Sequence, residues 1–97
     1  MIQVAVKFSL GRLLLTRGVN DLVAENTSFA KFVTDSLKRH DSGDWGDLDE
    51  ADKSRNDQAL VDGSRLFSAY EQPGRPKIWI ITEADRLSTT VLFPDEY

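Results

Sequence analysis

Three segments rich in β-branched and aromatic residues follow one another closely in the second half of the chain: Arg65 to Tyr70, Lys77 to Glu83 and Ser88 to Phe93. Only Glu71-Gln72-Pro73-Gly74-Arg75-Pro76 and Ala84-Asp85-Arg86-Leu87 separate them, and connections this short favour an antiparallel meander. Alternation in the middle segment puts Ile78, Ile80 and Thr82 on one face and Trp79 and Ile81 on the other. That strand is therefore predicted to be central and covered on both sides, with Trp79 in the core.

Such a sheet needs a second layer to bury it, and 97 residues leave room for one domain spanning residues 1–97. A hydrophobic fraction of 40% is ordinary for a soluble globular chain. Residues 2 to 8 alternate, with Ile2, Val4, Val6 and Phe8 on one side, and read as a half-buried strand; Leu13-Leu14-Leu15-Thr16 is a second apolar run. Arg17 to Asp21 is turn-like. Asn26-Thr27-Ser28 offers an N-cap to a helix carrying Phe29, Phe32, Val33 and Leu37, which should end near His40, where Lys38 and Arg39 complement the helix dipole. A second helix is predicted from Asp47, whose Asp47-Leu48-Asp49-Glu50 has capping-box character, towards Gly63, with the polar run Asp52 to Gln58 facing water. The sum is an α+β domain: one antiparallel sheet of three to five strands, with a C-terminal meander, packed with two helices.

Between these helices lies the densest chemistry of the chain. From Arg39 to Asp52, six carboxylates and the single histidine surround Trp45, which is flanked by Gly43 and Gly46. Carboxylates so crowded repel one another, and a tryptophan in a glycine-bounded loop either packs back on the domain or meets a partner. Metal ligation by His40, Asp41, Asp44 and Asp47 fits no EF-hand register: counted from Asp41, position three is Gly43 and position twelve Asp52; counted from Asp47, position six is not glycine. No cofactor motif or phosphate-cradling glycine loop is present, and no metal is expected. A metal-assisted hydrolase or nuclease would need carboxylates converging from separate elements, and His40, Asp44, Glu83 and Asp85 are the residues that would carry it. The plainer reading of Glu83 to Arg86 is a hydrogen-bonded turn with an ion pair from Asp85 to Arg86 or Arg55. The end of the chain, Phe93-Pro94-Asp95-Glu96-Tyr97, reads as a strand end, a proline stop and a frayed tail.

Net charge narrows the partners. At −4, with twelve basic residues scattered, the chain lacks the clustered Lys and Arg that grip phosphates, so direct nucleic-acid binding is not expected. No stretch is both basic and amphipathic, or apolar enough to span a bilayer, so no membrane role is expected either. The absence of cysteine suits a reducing compartment, and no signal-peptide pattern is seen, so a cytoplasmic location is expected.

Two motifs, His40-Asp41-Ser42-Gly43-Asp44-Trp45-Gly46 and the run from Lys77-Ile78-Trp79-Ile80-Ile81-Thr82-Glu83-Ala84-Asp85-Arg86 to Phe93-Pro94-Asp95-Glu96-Tyr97, resemble a group of small bacterial proteins carried on plasmids and other mobile elements. The likeness runs in motif order from Arg12 to Tyr97 and does not extend over Met1 to Gly11. Members are mostly labelled uncharacterised or plasmid-related, some with a restriction-modification label traceable to genome neighbourhood. The resemblance implies a setting in mobile DNA, where small acidic proteins often blunt host defence, and implies no catalytic residue. The function expected on these grounds is a non-enzymatic acidic protein that mimics DNA towards a basic partner, such as the nucleic-acid-binding groove of a restriction or CRISPR complex. Its surface would comprise Asp41, Asp44, Asp47, Asp49, Glu50, Asp52 and Asp57, with Trp45 as an apolar anchor if exposed. Self-association in plasmid maintenance is an alternative, for which Arg65 to Tyr70 would supply the exposed edge strand.

Overall fold

The computed structural model describes residues 8–97; the strand expected at residues 2 to 8 lies almost wholly outside them, with only Phe8 described. The elements run β1 (Arg12–Leu15), α1 (Arg17–Glu25), α2 (Thr27–Asp41), α3 (Glu50–Asp62), β2 (Leu66–Gln72), β3 (Arg75–Thr82) and β4 (Ser88–Leu92), closing with a 3₁₀ turn at Pro94–Glu96. The four strands form one sheet in the order β1-β4-β3-β2. The fold is α+β as expected, and β2, β3 and β4 form the antiparallel meander.

Several expectations are corrected. The sheet is mixed, because β1 pairs with β4 in parallel, Arg12 opposite Ser88 and Leu15 opposite Val91. A meander argument sees only neighbouring segments, whereas β1 joins the sheet across three intervening helices. The third helix is the second correction: Arg17 to Asp21 is the start of α1 and not a turn. Val19, Leu22 and Val23 put an apolar stripe on the sheet, with Val19 fully buried. The cap of α1 comes from the far end of the chain, where Glu96 accepts hydrogen bonds from the Thr16 hydroxyl (2.5 Å) and the Gly18 N–H (2.9 Å). The expected frayed tail is thus an ordered turn that satisfies a helix terminus, and these contacts hold the Glu96 carboxyl below its ordinary range.

All three helices lie on one sheet face. Val19, Phe29, Phe32 and Val33 pack on Tyr70, Ile78, Ile80 and Val91, while Trp45, Ala59 and Leu66 form an adjoining cluster. Ile78, Ile80 and Thr82 share this face and are fully buried, as the alternation predicts. Each such Ile contributes roughly 1.5–3 kcal/mol by leaving water. The opposite face is covered only in part. Trp79 is half-buried there, edge-on to Phe67 at 5.1 Å and to Tyr97 at 5.8 Å, and is not the core residue expected from its apolar strand.

Candidate functional site

The acidic segment leaves α2 at a C-terminus rich in Lys38, Arg39 and His40, crosses Gly43 and Gly46, both with positive φ, and enters α3. Gly46 is demanded by close approach as well as by its φ of 76°: a Cβ there would lie 2.0 Å from the Ala69 carbonyl oxygen and 2.7 Å from the Tyr70 ring. The approach has a purpose. In β2, Phe67, Ala69 and Glu71 point their backbone groups away from β3, and each is met from outside. The Asn56 amide donates to the Phe67 carbonyl and accepts from its N–H; Ala69 N–H donates to Trp45 C=O and Ala69 C=O accepts from Asp47 N–H (2.7 Å); Glu71 N–H donates to the Asp47 carboxylate (2.8 Å). The edge expected to be exposed at Arg65 to Tyr70 is therefore met at Phe67, Ala69 and Glu71 by the domain's own residues.

Each candidate carboxylate occupies a definite place. Asp44 forms a two-point pair with Arg39 (2.7 and 3.2 Å), which also lies over the Tyr70 ring, and its carboxyl is held below its ordinary range by that guanidinium. Asp49 is the N-cap of α3, accepting from Asp52 N–H at 2.8 Å. The helix begins at Glu50 and not Asp47 because the N–H and carboxylate of Asp47 are committed to β2. Asp52 pairs with Arg55 at 2.7 Å, and Glu50 reaches solvent with Lys53 3.9 Å away. Asp57 accepts from the Trp45 indole N–H at 3.0 Å. Asp41 is half-buried, and its Oδ1 has no hydrogen-bond partner among the described residues.

Trp45 is 3% exposed, stacked on Phe8 and edge-on to His40, so the condition for its service as a partner anchor is not met; it caps the core. The polar run of α3 does not face water throughout, since Asn56 is buried where it clamps β2. Nothing in a run of polar residues marks which one turns inward; a period of 3.6 placing Asn56 near Ala59 and Leu60 is the sole signal.

His40 is fully buried and its ring bridges two strands, Nδ1 against the Ser68 hydroxyl and Nε2 2.9 Å from Thr82 Oγ1. The tautomer follows from the far end of the chain of hydroxyls. Thr89 donates to the Leu10 carbonyl (2.7 Å), so Thr82 donates to Thr89, His40 Nε2–H donates to Thr82, and Nδ1 accepts from Ser68. Burial, and secondarily the charge of Arg86, lowers the imidazole pKa to about 4. His40 is thus a neutral structural cross-link at ordinary pH. The residues proposed for hydrolase chemistry are not assembled: Glu83 pairs with Arg65 at 3.5 Å, Asp85 accepts from Leu87 N–H at 2.9 Å, and no group of three potential ligands converges among the described residues.

The turn at Glu83 to Arg86 is hydrogen-bonded as read, but neither expected ion pair of Asp85 forms. Arg86, the one non-glycine with positive φ among the described residues, instead donates to the carbonyls of Ser64 (2.6 Å), Glu83 (3.1 Å) and Ala59 (3.2 Å), tying the end of α3 to the β3–β4 turn. Compared with models of known families, with curated proteins and with solved structures, the chain matches none. No helix among the described residues is long and apolar enough to cross a membrane.

Proposed function

We propose that the loop from Asp41 to Asp49 together with α3 forms a rigid acidic docking surface for a basic protein partner, and that the protein acts by binding and not by catalysis. The observation that carries this reading is charge segregation. From Asp41 to Asp57 the sequence carries seven carboxylates against two cations, Lys53 and Arg55, a formal −5, while the whole chain totals −4; of the seven, Asp44 is neutralised by Arg39 and Asp52 pairs with Arg55. Several of these carboxylates are pre-positioned by hydrogen bonds to Glu71, Asp52 and Trp45 that leave their charge unpaired. Pre-positioned charges lose little conformational freedom on docking and steer encounter with a cationic groove. With the resemblance to proteins of mobile elements, the partner class that fits is the nucleic-acid-binding groove of a host defence complex, where these carboxylates would stand in for phosphates.

The test must remove charge and keep the fold. Asp47→Asn, Asp49→Asn and Asp57→Asn retain an acceptor oxygen for the Glu71, Asp52 and Trp45 donors, and Glu50→Gln touches a side chain that is 94% exposed. Parent and fourfold variant are used as bait in a bacterial lysate at low salt. A basic nucleic-acid-handling protein held by the parent, released by salt and lost by the variant supports the proposal; the same set retained by both refutes it.

A further inference from the structure

The two edges of the sheet are treated oppositely. The outer edge of β2 is met at Phe67, Ala69 and Glu71 by Asn56, Trp45 and Asp47, whereas no described residue pairs with the outer edge of β1. Arg12 N–H donates to Leu87 C=O and Thr16 N–H to Val91 C=O, so the intervening Leu13 and Leu15 turn their N–H and C=O groups away from β4. Among the described residues the guards of this edge are only its four-residue length and Arg12 at its start: from Leu13 to Leu15 there is no charge, no proline and no bulge, and Leu13 and Leu14 are 49% and 42% exposed. Gly11, with φ 64° and a Cβ position 2.4 Å from the Leu87 backbone, lets the start of the strand approach the β3–β4 turn closely.

We infer that a second copy of this chain adds to β1 in antiparallel register, with Leu14 on the two-fold axis. The argument for a second copy is self-complementarity. Antiparallel pairing centred on Leu14 sets Leu13 opposite the partner's Leu15 and Leu15 opposite the partner's Leu13. These are the residues whose backbone groups face outward, so all eight groups of the strand pair, four from each strand, are satisfied in four hydrogen bonds. Leu14 meets the partner's Leu14 in the close, non-hydrogen-bonded position, Arg12 meets Thr16, and no like charges stand directly opposite. The two four-stranded sheets become one of eight. A contact of four residues per strand is small, so the dimer is weak and reversible.

The chain has no cysteine, which makes single-cysteine variants clean reporters of register. Leu14→Cys on the axis brings two sulfurs together, whereas Leu13→Cys sits opposite Leu15 and leaves its own counterpart several ångströms away. Under mild oxidation Leu14→Cys is expected to give a covalent dimer and Leu13→Cys to remain largely uncoupled. Sedimentation of the parent from about 1 to several hundred µM is expected to show a monomer–dimer equilibrium. Leu14→Lys, which places like charges on the axis, should raise its dissociation constant about tenfold or more while the circular dichroism of the monomer is unchanged. A parent that is monomeric at every concentration, equal cross-linking of the two cysteine variants, or a dimer insensitive to Leu14→Lys overturns the inference.

Discussion

Acid should unfold this protein earlier than its carboxylates alone would dictate, and His40 is the reason. In the native state burial keeps its imidazole neutral down to about pH 4, while in the unfolded chain it protonates near its ordinary value of 6.5. Between those values the unfolded state binds more protons, so stability rises with pH; the contribution is fully present above pH 6.5 and is lost as pH falls towards 4. At 1.36 kcal/mol per unit the full loss is about 3 kcal/mol, of which about 2 kcal/mol falls between pH 7 and pH 5. The carboxylates of Asp35, Asp44 and Glu96 are held below their ordinary values, so their contributions disappear only at lower pH, which isolates the histidine window. Urea unfolding at pH 7, 6 and 5 should show the midpoint falling by about 1–2 M across the series. His40→Gln, though less stable at pH 7 because the Ser68 and Thr82 hydroxyls lose their partner, should show almost no slope over the same range. A flat profile for the parent, or an equal slope in the variant, would refute the assignment of a buried neutral imidazole.

Three further perturbations follow from the packing. Asn56→Ala removes both hydrogen bonds to the Phe67 backbone and should cost about 2–4 kcal/mol by denaturant unfolding, with a rise in light scattering as the β2 edge opens. Gly46→Ala drives a methyl into the Ala69 carbonyl and should cost more than about 3 kcal/mol, whereas Gly63→Ala, at a similar φ but with open space around it, should cost only about 1 kcal/mol; equal losses would show that φ alone matters. Acrylamide should quench Trp79 and spare Trp45, so Trp79→Phe leaves a blue-shifted, poorly quenched emission and Trp45→Phe leaves the reverse.

The local elements were written in the sequence wherever a periodic pattern and a terminal signal coincide. α2 follows Asn26 as N-cap, α3 stops at Gly63, and β2, β3 and β4 form the meander that their short connections dictate. The burial of Ile78, Ile80 and Thr82 on one face was legible for the same reason, since the period of two is a property of the strand alone. The density of carboxylates around Trp45 was equally plain, but not their employment: Asp44 pairs with Arg39, Asp49 caps a helix, and Asp47 and Asp57 hold β2 and Trp45.

What only the tertiary structure decided are the contacts between residues distant along the chain. The parallel pairing of β1 with β4, the capping of α1 by Glu96, the clamp of Asn56 on Phe67 and the bridge of His40 between Ser68 and Thr82 each join segments from 11 to 80 residues apart. The physical reason is common to them. Patterning tells a residue which way to face, whereas the partner of a buried donor or acceptor is chosen by whatever unpaired group the assembled fold brings within reach, and the need to satisfy it is absolute only once water has been excluded. Polar residues that sequence reading assigns to solvent or to a partner can therefore turn out to close the domain's own edge.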